Sequence, residues 1–108
     1  MERGTWRFRI GRTETAIQDF ARAAALNPRL LLAHYNMGVA LGTTGRYAES
    51  ADALTRALSI DPYNAPAHYH LALALAAAQR LDQARREYER LRLLDAGLAR
   101  DLGALLKF

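Results

Sequence analysis

The 108-residue chain has no cysteine, which excludes disulfides, thiolate nucleophiles and zinc–thiolate sites. Lysine is almost absent: of fifteen basic residues only Lys107 is a lysine, and the rest are arginine. No segment reads as a strand run bounded by turns. The longest apolar stretch, Leu71 to Ala78, is too short to span a bilayer, so no membrane role is expected. Arg3, Arg7, Arg9 and Arg12 interrupt the region where a signal peptide would carry its apolar core, and a cytoplasmic location is the default expectation. No G-x-S-x-G, phosphate loop or H-E-x-x-H occurs, and no nucleophile has an evident base in reach, so no catalytic site is expected. The net charge of +4 is too mild to argue for nucleic acid. The arginine- and alanine-heavy composition is common in bacteria with GC-rich genomes.

Apolar residues make up 51% of the chain, enough for one folded domain with a modest core. Much of that share is alanine, a helix former that permits close helix contact. A period of 34 residues organises the whole. Gly11-Arg12 returns as Gly45-Arg46, and the arginine again as Arg80. Asn27-Pro28 returns as Asp61-Pro62, and the aspartate as Asp95. His34-Tyr35 returns as His68-Tyr69. Laying residues 31–64 over 65–98 gives eight identities, and laying 11–30 over 45–64 gives five. Such a period means a stack of like units, each burying its apolar face on the next.

Within the period, apolar residues recur at steps of three and four, which is one face of a helix. Helices are expected over 31–44, 47–60, 65–78 and 81–94. Gly45-Arg46 and Gln79-Arg80 break the first helix of each pair from the second. Asp61-Pro62 ends a second helix, because proline disfavours the helical region for the residue before it. Asn64 is placed to cap the next helix, with Pro66 in its first turn. Small residues at Gly38 and Ala72, and at Ala16, Ser50 and Ala84, mark close helix crossings. Phe20, Leu54 and Tyr88 fill one large-residue site, and Leu26, Ile60 and Leu94 another.

These motifs resemble the tetratricopeptide repeat family, whose unit has the form W-x2-L-G-x2-Y…A-x3-F…P. The first halves read His34-x2-Met37-Gly38-x2-Leu41 and His68-x2-Leu71-Ala72-x2-Leu75. The second halves read Ala16-x3-Phe20…Pro28, Ser50-x3-Leu54…Pro62 and Ala84-x3-Tyr88, with Ala96 where the proline would stand. The resemblance implies an all-α fold, a right-handed superhelical stack of antiparallel helix pairs. The expected organisation is a partial first repeat over 1–30, a second over 31–64 and a third over 65–98. Leu98, Leu102, Leu105 and Leu106 form an apolar stripe for a capping helix over 98–108. At the other end Arg3 and Arg7 stand where repeat two has Met37 and Leu41. The helix before 14–26 should therefore pack poorly and leave Ile17, Phe20 and Leu26 partly uncovered.

Three histidines raise the question of a metal. His68 and His70 point to different faces, and no acid lies three or four residues after any of them, so packing or groove roles are expected instead. Arg22, Arg56 and Arg90 follow Asp19, Asp52 and Glu87 by three or four residues and read as solvated helix pairs.

The face with most to offer a partner lies on the first helices. Leu32, Tyr35, Val39 and Thr43 follow the helical period, with Asn36 beside them, and Tyr69, His70 and Leu73 follow in the next repeat. The resemblance puts this face on the concave side, where the family commonly binds peptides. These residues equally suit contacts between neighbouring helices. Some family members hold a C-terminal carboxylate there with lysines, an arginine and asparagines. This chain has Tyr35, Val39, Asn36, Pro66 and His70 at the matching places, so that activity does not carry over. The function expected is a non-catalytic module, without cofactor, for a protein or peptide with apolar anchors. The alternative is a structural module that forms a homo-oligomer or joins a larger assembly through its exposed N-terminal repeat.

Overall fold

A computed structural model describes the backbone of residues 2–108 and the side chains of residues 12–108. Six helices follow one another: α1 (Glu2–Leu26), α2 (Leu31–Thr43), α3 (Tyr47–Ile60), α4 (Ala65–Ala77), α5 (Leu81–Leu94) and α6 (Ala96–Leu106). The described residues contain no strand. None of their helices is long and apolar enough to cross a membrane.

The boundaries have local causes. Between α2 and α3 the chain reverses at Gly45, with φ +81°, and between α4 and α5 at Gln79, with φ 64°. Both turns close with the same bonds: Arg46 N–H donates to the Leu41 carbonyl at 2.9 Å, and Arg80 N–H to that of Leu75 at 2.8 Å. Asn64 caps α4, its Oδ1 accepting from Ala67 N–H at 3.0 Å. Asp95 ends α5 and caps α6, its Oδ1 accepting from Leu98 N–H at 3.0 Å.

Each helix packs on the next, and three apolar clusters join neighbouring pairs, as a stack requires. Ile17 meets Leu41 and Ala53 in the first. Leu54 and Ala51 of α3 meet Leu71 and Leu75 of α4 in the second. Ala72, Leu91 and Leu102 join α4, α5 and α6 in the third. The backbone of α4 also comes close to α2 and α6, whereas among the described residues the backbone of α3 stays apart from those of α1 and α5 and meets them through side chains alone. The first helices thus draw together and the second helices splay, which curves the stack around α2, α4 and α6.

The crossing at Gly38 is tight. A Cβ there would lie 2.6 Å from Leu54 Cγ, and the Gly38 carbonyl accepts from Ser50 Oγ–H at 2.6 Å. The expected smallness of Gly38 and Ser50 is therefore a requirement of contact. Glycine at 38 also leaves room for Leu54, which has no exposed surface.

Four expectations need correction. Helix α1 does not break: it runs through Gly11-Arg12 as one 25-residue helix, so repeat one contributes no helix pair. Continuing the helix through Gly11 keeps its backbone bonds. The side chains of Arg3 and Arg7 lie outside the described residues. Ile17 is buried at 8% exposure against α2 and α3, because this helix packs directly on α2. Leu26 is 87% exposed, in keeping with the poor cover expected at this end, and Leu94 38%, so neither fills a gap between helices as Leu54 does. In α6, Leu105 is exposed, and its place against the third repeat is taken by Ala99 and Gly103. Tyr88 lies so close to Gly103 that a Cβ there would meet the ring at 3.1 Å.

Candidate functional site

Helices α2 and α4 bring most of the groove residues together. The ring of His70 stands between the two tyrosines, edge-on to Tyr35 at 5.7 Å and to Tyr69 at 5.3 Å between centroids. Perpendicular rings place positive edges on negative faces, the favoured aromatic geometry. One histidine from α4 thus joins the two tyrosines, because Tyr69 and His70 are consecutive and diverge around the helix. Burial raises the Tyr35 hydroxyl above its ordinary pKa and lowers the His70 imidazole below its own. Both shifts favour neutral groups in an apolar setting.

Beside this cluster a cleft of about 230 Å³ runs between α2 and α4. Val39 and Thr43 form one wall, His70 and Leu73 the other, and Tyr47 of α3 closes an end. None of its lining residues is a lysine or arginine. Thr43 Oγ1 donates to the Val39 carbonyl at 3.0 Å, so its methyl group is left for the cleft. Leu32 stands apart at 64% exposure, and Asn36 is half-buried one residue from Tyr35. Gly42, on the same helical period as Val39 and Thr43, also lines the cleft, where a Cβ would lie 3.3 Å from Ser50 Oγ; Tyr47 and Ser50 were not anticipated here.

The splayed side of the stack holds two further clefts. One, of about 590 Å³, lies between α3 and α5 and is walled by Leu58, Tyr63, Leu93 and Leu94. On its floor His68 donates from Nε2 to the Pro62 carbonyl at 2.7 Å, and its Nδ1 shares a hydrogen bond with Glu87 Oε2 at 2.5 Å. Arg90 donates to the other oxygen of Glu87 at 2.7 Å. The other cleft, of about 510 Å³, lies between α1 and α3. Each of its eight lining residues stands 34 before a residue of the first cleft.

Spacing alone pairs Glu87 with Arg90 on a solvated helix face. Glu87 is buried, at 6% exposure, and serves His68 from the facing helix. Neither Asp19–Arg22 nor Asp52–Arg56 forms an ion pair among the described residues, so of the three expected pairs one is present. A signal was available. Glu87 occupies the position that repeat two fills with Ala53, which is 2% exposed, and an acid at a core position must be paired.

Two family models, both described as tetratricopeptide repeat, match residues 43–106 and 2–65. The chain belongs to the tetratricopeptide repeat family. No curated relative matches it. Among solved structures it is similar to the second such domain of human RPAP3 in complex with the HSP70 peptide SGPTIEEVD. The TM-score is 0.84 at 25% identity, covering 99% of this chain and 91% of that one. The second such domain of Spaghetti (RPAP3), bound to the HSP90 peptide SRMEEVD, matches with TM-score 0.75 and 26% identity over 87% of each chain. A crystal structure of MamA matches with TM-score 0.82 and 26% identity, and there the match covers 95% of this chain but 61% of the other.

Proposed function

We propose that this tetratricopeptide repeat domain is a non-catalytic interaction module whose peptide lies along α2 and α4, anchored at Tyr35, His70 and Tyr69. The observation that carries this reading is the aromatic cluster beside an apolar cleft with no cation in its lining. Leu73 and Val39 supply apolar floor, and Asn36 offers an amide to a peptide backbone. The structural neighbours bound to the acidic-tailed peptides SGPTIEEVD and SRMEEVD support peptide capture by this fold. In this chain the absence of cations from the cleft favours aliphatic or aromatic anchors over an acidic tail.

Affinity should come from apolar burial and change little with salt. The test uses a peptide selected on the immobilised protein from a displayed random library, titrated at low and high salt. Tyr35→Ala or Tyr69→Ala should weaken it by about 1–3 kcal/mol, the usual size of an anchor effect. A steep loss of affinity with salt, or indifference to both tyrosines, would overturn the reading.

A second reading has its own observation. Leu26, Leu30 and Leu32 are exposed at 87%, 37% and 64%, grouped where α1 meets α2. Exposed apolar area of this kind suits contact with a second copy or a larger assembly. Light scattering decides it: growth in size with concentration, reversed by Leu26→Glu, supports assembly through this end.

A further inference from the structure

His34 and His68 occupy equivalent places and make the same first bond. His34 donates from Nε2 to the Pro28 carbonyl at 2.8 Å, as His68 does to Pro62 at 2.7 Å. Their second nitrogens differ. Nδ1 of His68 holds the carboxylate of Glu87, whose other oxygen is held by Arg90. Nδ1 of His34 is buried and has no hydrogen-bond partner. Its repeat-equivalent of Arg90 is Arg56, which lines the same cleft and makes no ion pair among the described residues. The element missing from repeat two is the carboxylate, because Ala53 stands where repeat three has Glu87.

We infer that the cleft between α1 and α3 binds an external carboxylate on a short aliphatic stem, held between His34 Nδ1 and the Arg56 guanidinium. The third repeat is the internal template: the same histidine and arginine positions, 34 residues on, close on a carboxylate. A buried imidazole nitrogen without a partner is costly, and a ligand that satisfies it recovers that cost. The charged arginine adds a charge-assisted bond to the second oxygen. Walls of Ala21, Ala24 and Ala25, where the other cleft has Thr55, Leu58 and Ser59, leave space for the stem. Because Nε2–H is committed to Pro28, the second bond needs one more proton on the pair. The ligand therefore binds either as an anion on a doubly protonated ring or as an acid donating to Nδ1.

This site is separate from the face of α2 and α4, and its failure would leave the proposed peptide groove untouched. Two sources carry this chemistry, a free aliphatic acid and an acidic side chain of a partner protein. The test follows the ring C–H signals of the three histidines by NMR during titration with sodium propionate, and separately with capped glutamate, at constant ionic strength. Both should shift His34 saturably, leaving His68 and His70 nearly still, and whichever binds more tightly names the source. Arg56→Ala, at an exposed position that keeps the fold, should weaken binding roughly tenfold or more, as loss of a hydrogen bond to a charged group does. Ala53→Glu supplies the carboxylate from within and should abolish the shifts while raising the melting temperature. Absence of a saturable shift at His34, or the same shift in both variants, would overturn the site.

Discussion

Repeats two and three share a register without a gap, yet they solve the same polar problem differently. In each, a histidine at the packing position of the first helix ties the preceding loop through a proline carbonyl. In repeat three the other side of that ring meets Glu87 and, through it, Arg90; in repeat two it meets nothing. The difference turns on one substitution across the helix pair, Ala53 against Glu87. A repeat keeps its shape through small and large residues at matched crossings, while its polar satisfaction depends on the facing helix and can be lost or opened to a ligand without disturbing the stack.

The largest expected effect comes from taking repeat three's cover away. Deleting residues 96–108 removes Leu102, which has no exposed surface, and uncovers Leu91 and Ala72. Loss of one such leucine alone typically costs about 2–5 kcal/mol. Thermal melting and light scattering should show a much lower transition and aggregation, with hydrogen exchange fastest in α5 and slower in α2 and α3.

Next in size is Gly38→Leu. A Cβ alone would approach Leu54 Cγ to 2.6 Å, so a full side chain must displace that residue. Overpacking of this kind costs about 1–3 kcal/mol and occasionally more. Repeat three carries Ala72 at the same place, so denaturant unfolding of Gly38→Ala beside Ala72→Gly measures how far each crossing has adapted to its own residue.

Glu87→Ala makes repeat three polar-deficient in the manner of repeat two. It leaves a buried ring nitrogen unpaired and should cost about 1–3 kcal/mol in denaturant unfolding. An unchanged stability would mean that the bonds on the floor of that cleft contribute nothing net.

The smallest effect is in the turns. Gln79 holds the left-handed conformation that Gly45 holds one repeat earlier. Such a conformation costs a residue with a side chain about 1 kcal/mol, so Gln79→Gly should stabilise by roughly 0.5–1 kcal/mol. A loss of stability there would show that the glutamine side chain contributes something its left-handed backbone conceals.

Much of the fold was legible because it depends on period. Helices α2 to α5 begin and end within a residue of their expected bounds, since Gly45, Asp61-Pro62 and Asn64 act locally. What was not legible depends on contacts across helices. The His68–Glu87 bond spans 19 residues and leaves no mark in helical spacing. The continuous α1 departs from a register copied backward from the later repeats, which would put a turn at Gly11-Arg12. Periodicity puts Tyr35, Val39, Tyr69 and Leu73 on one helix face, and the family resemblance was needed to expect that face on the concave side. The bridging of the two tyrosines by His70 needed the actual angle between α2 and α4.

The central claim is that partners engage the face of α2 and α4. Backbone amide NMR of the labelled protein, titrated with the library-selected peptide, tests it most directly. The account predicts shifts concentrated at Tyr35, Val39, Thr43, Tyr69, His70 and Leu73. Shifts concentrated instead at Arg22, Arg56 and Arg90 on the splayed helices, with the groove residues still, would contradict it.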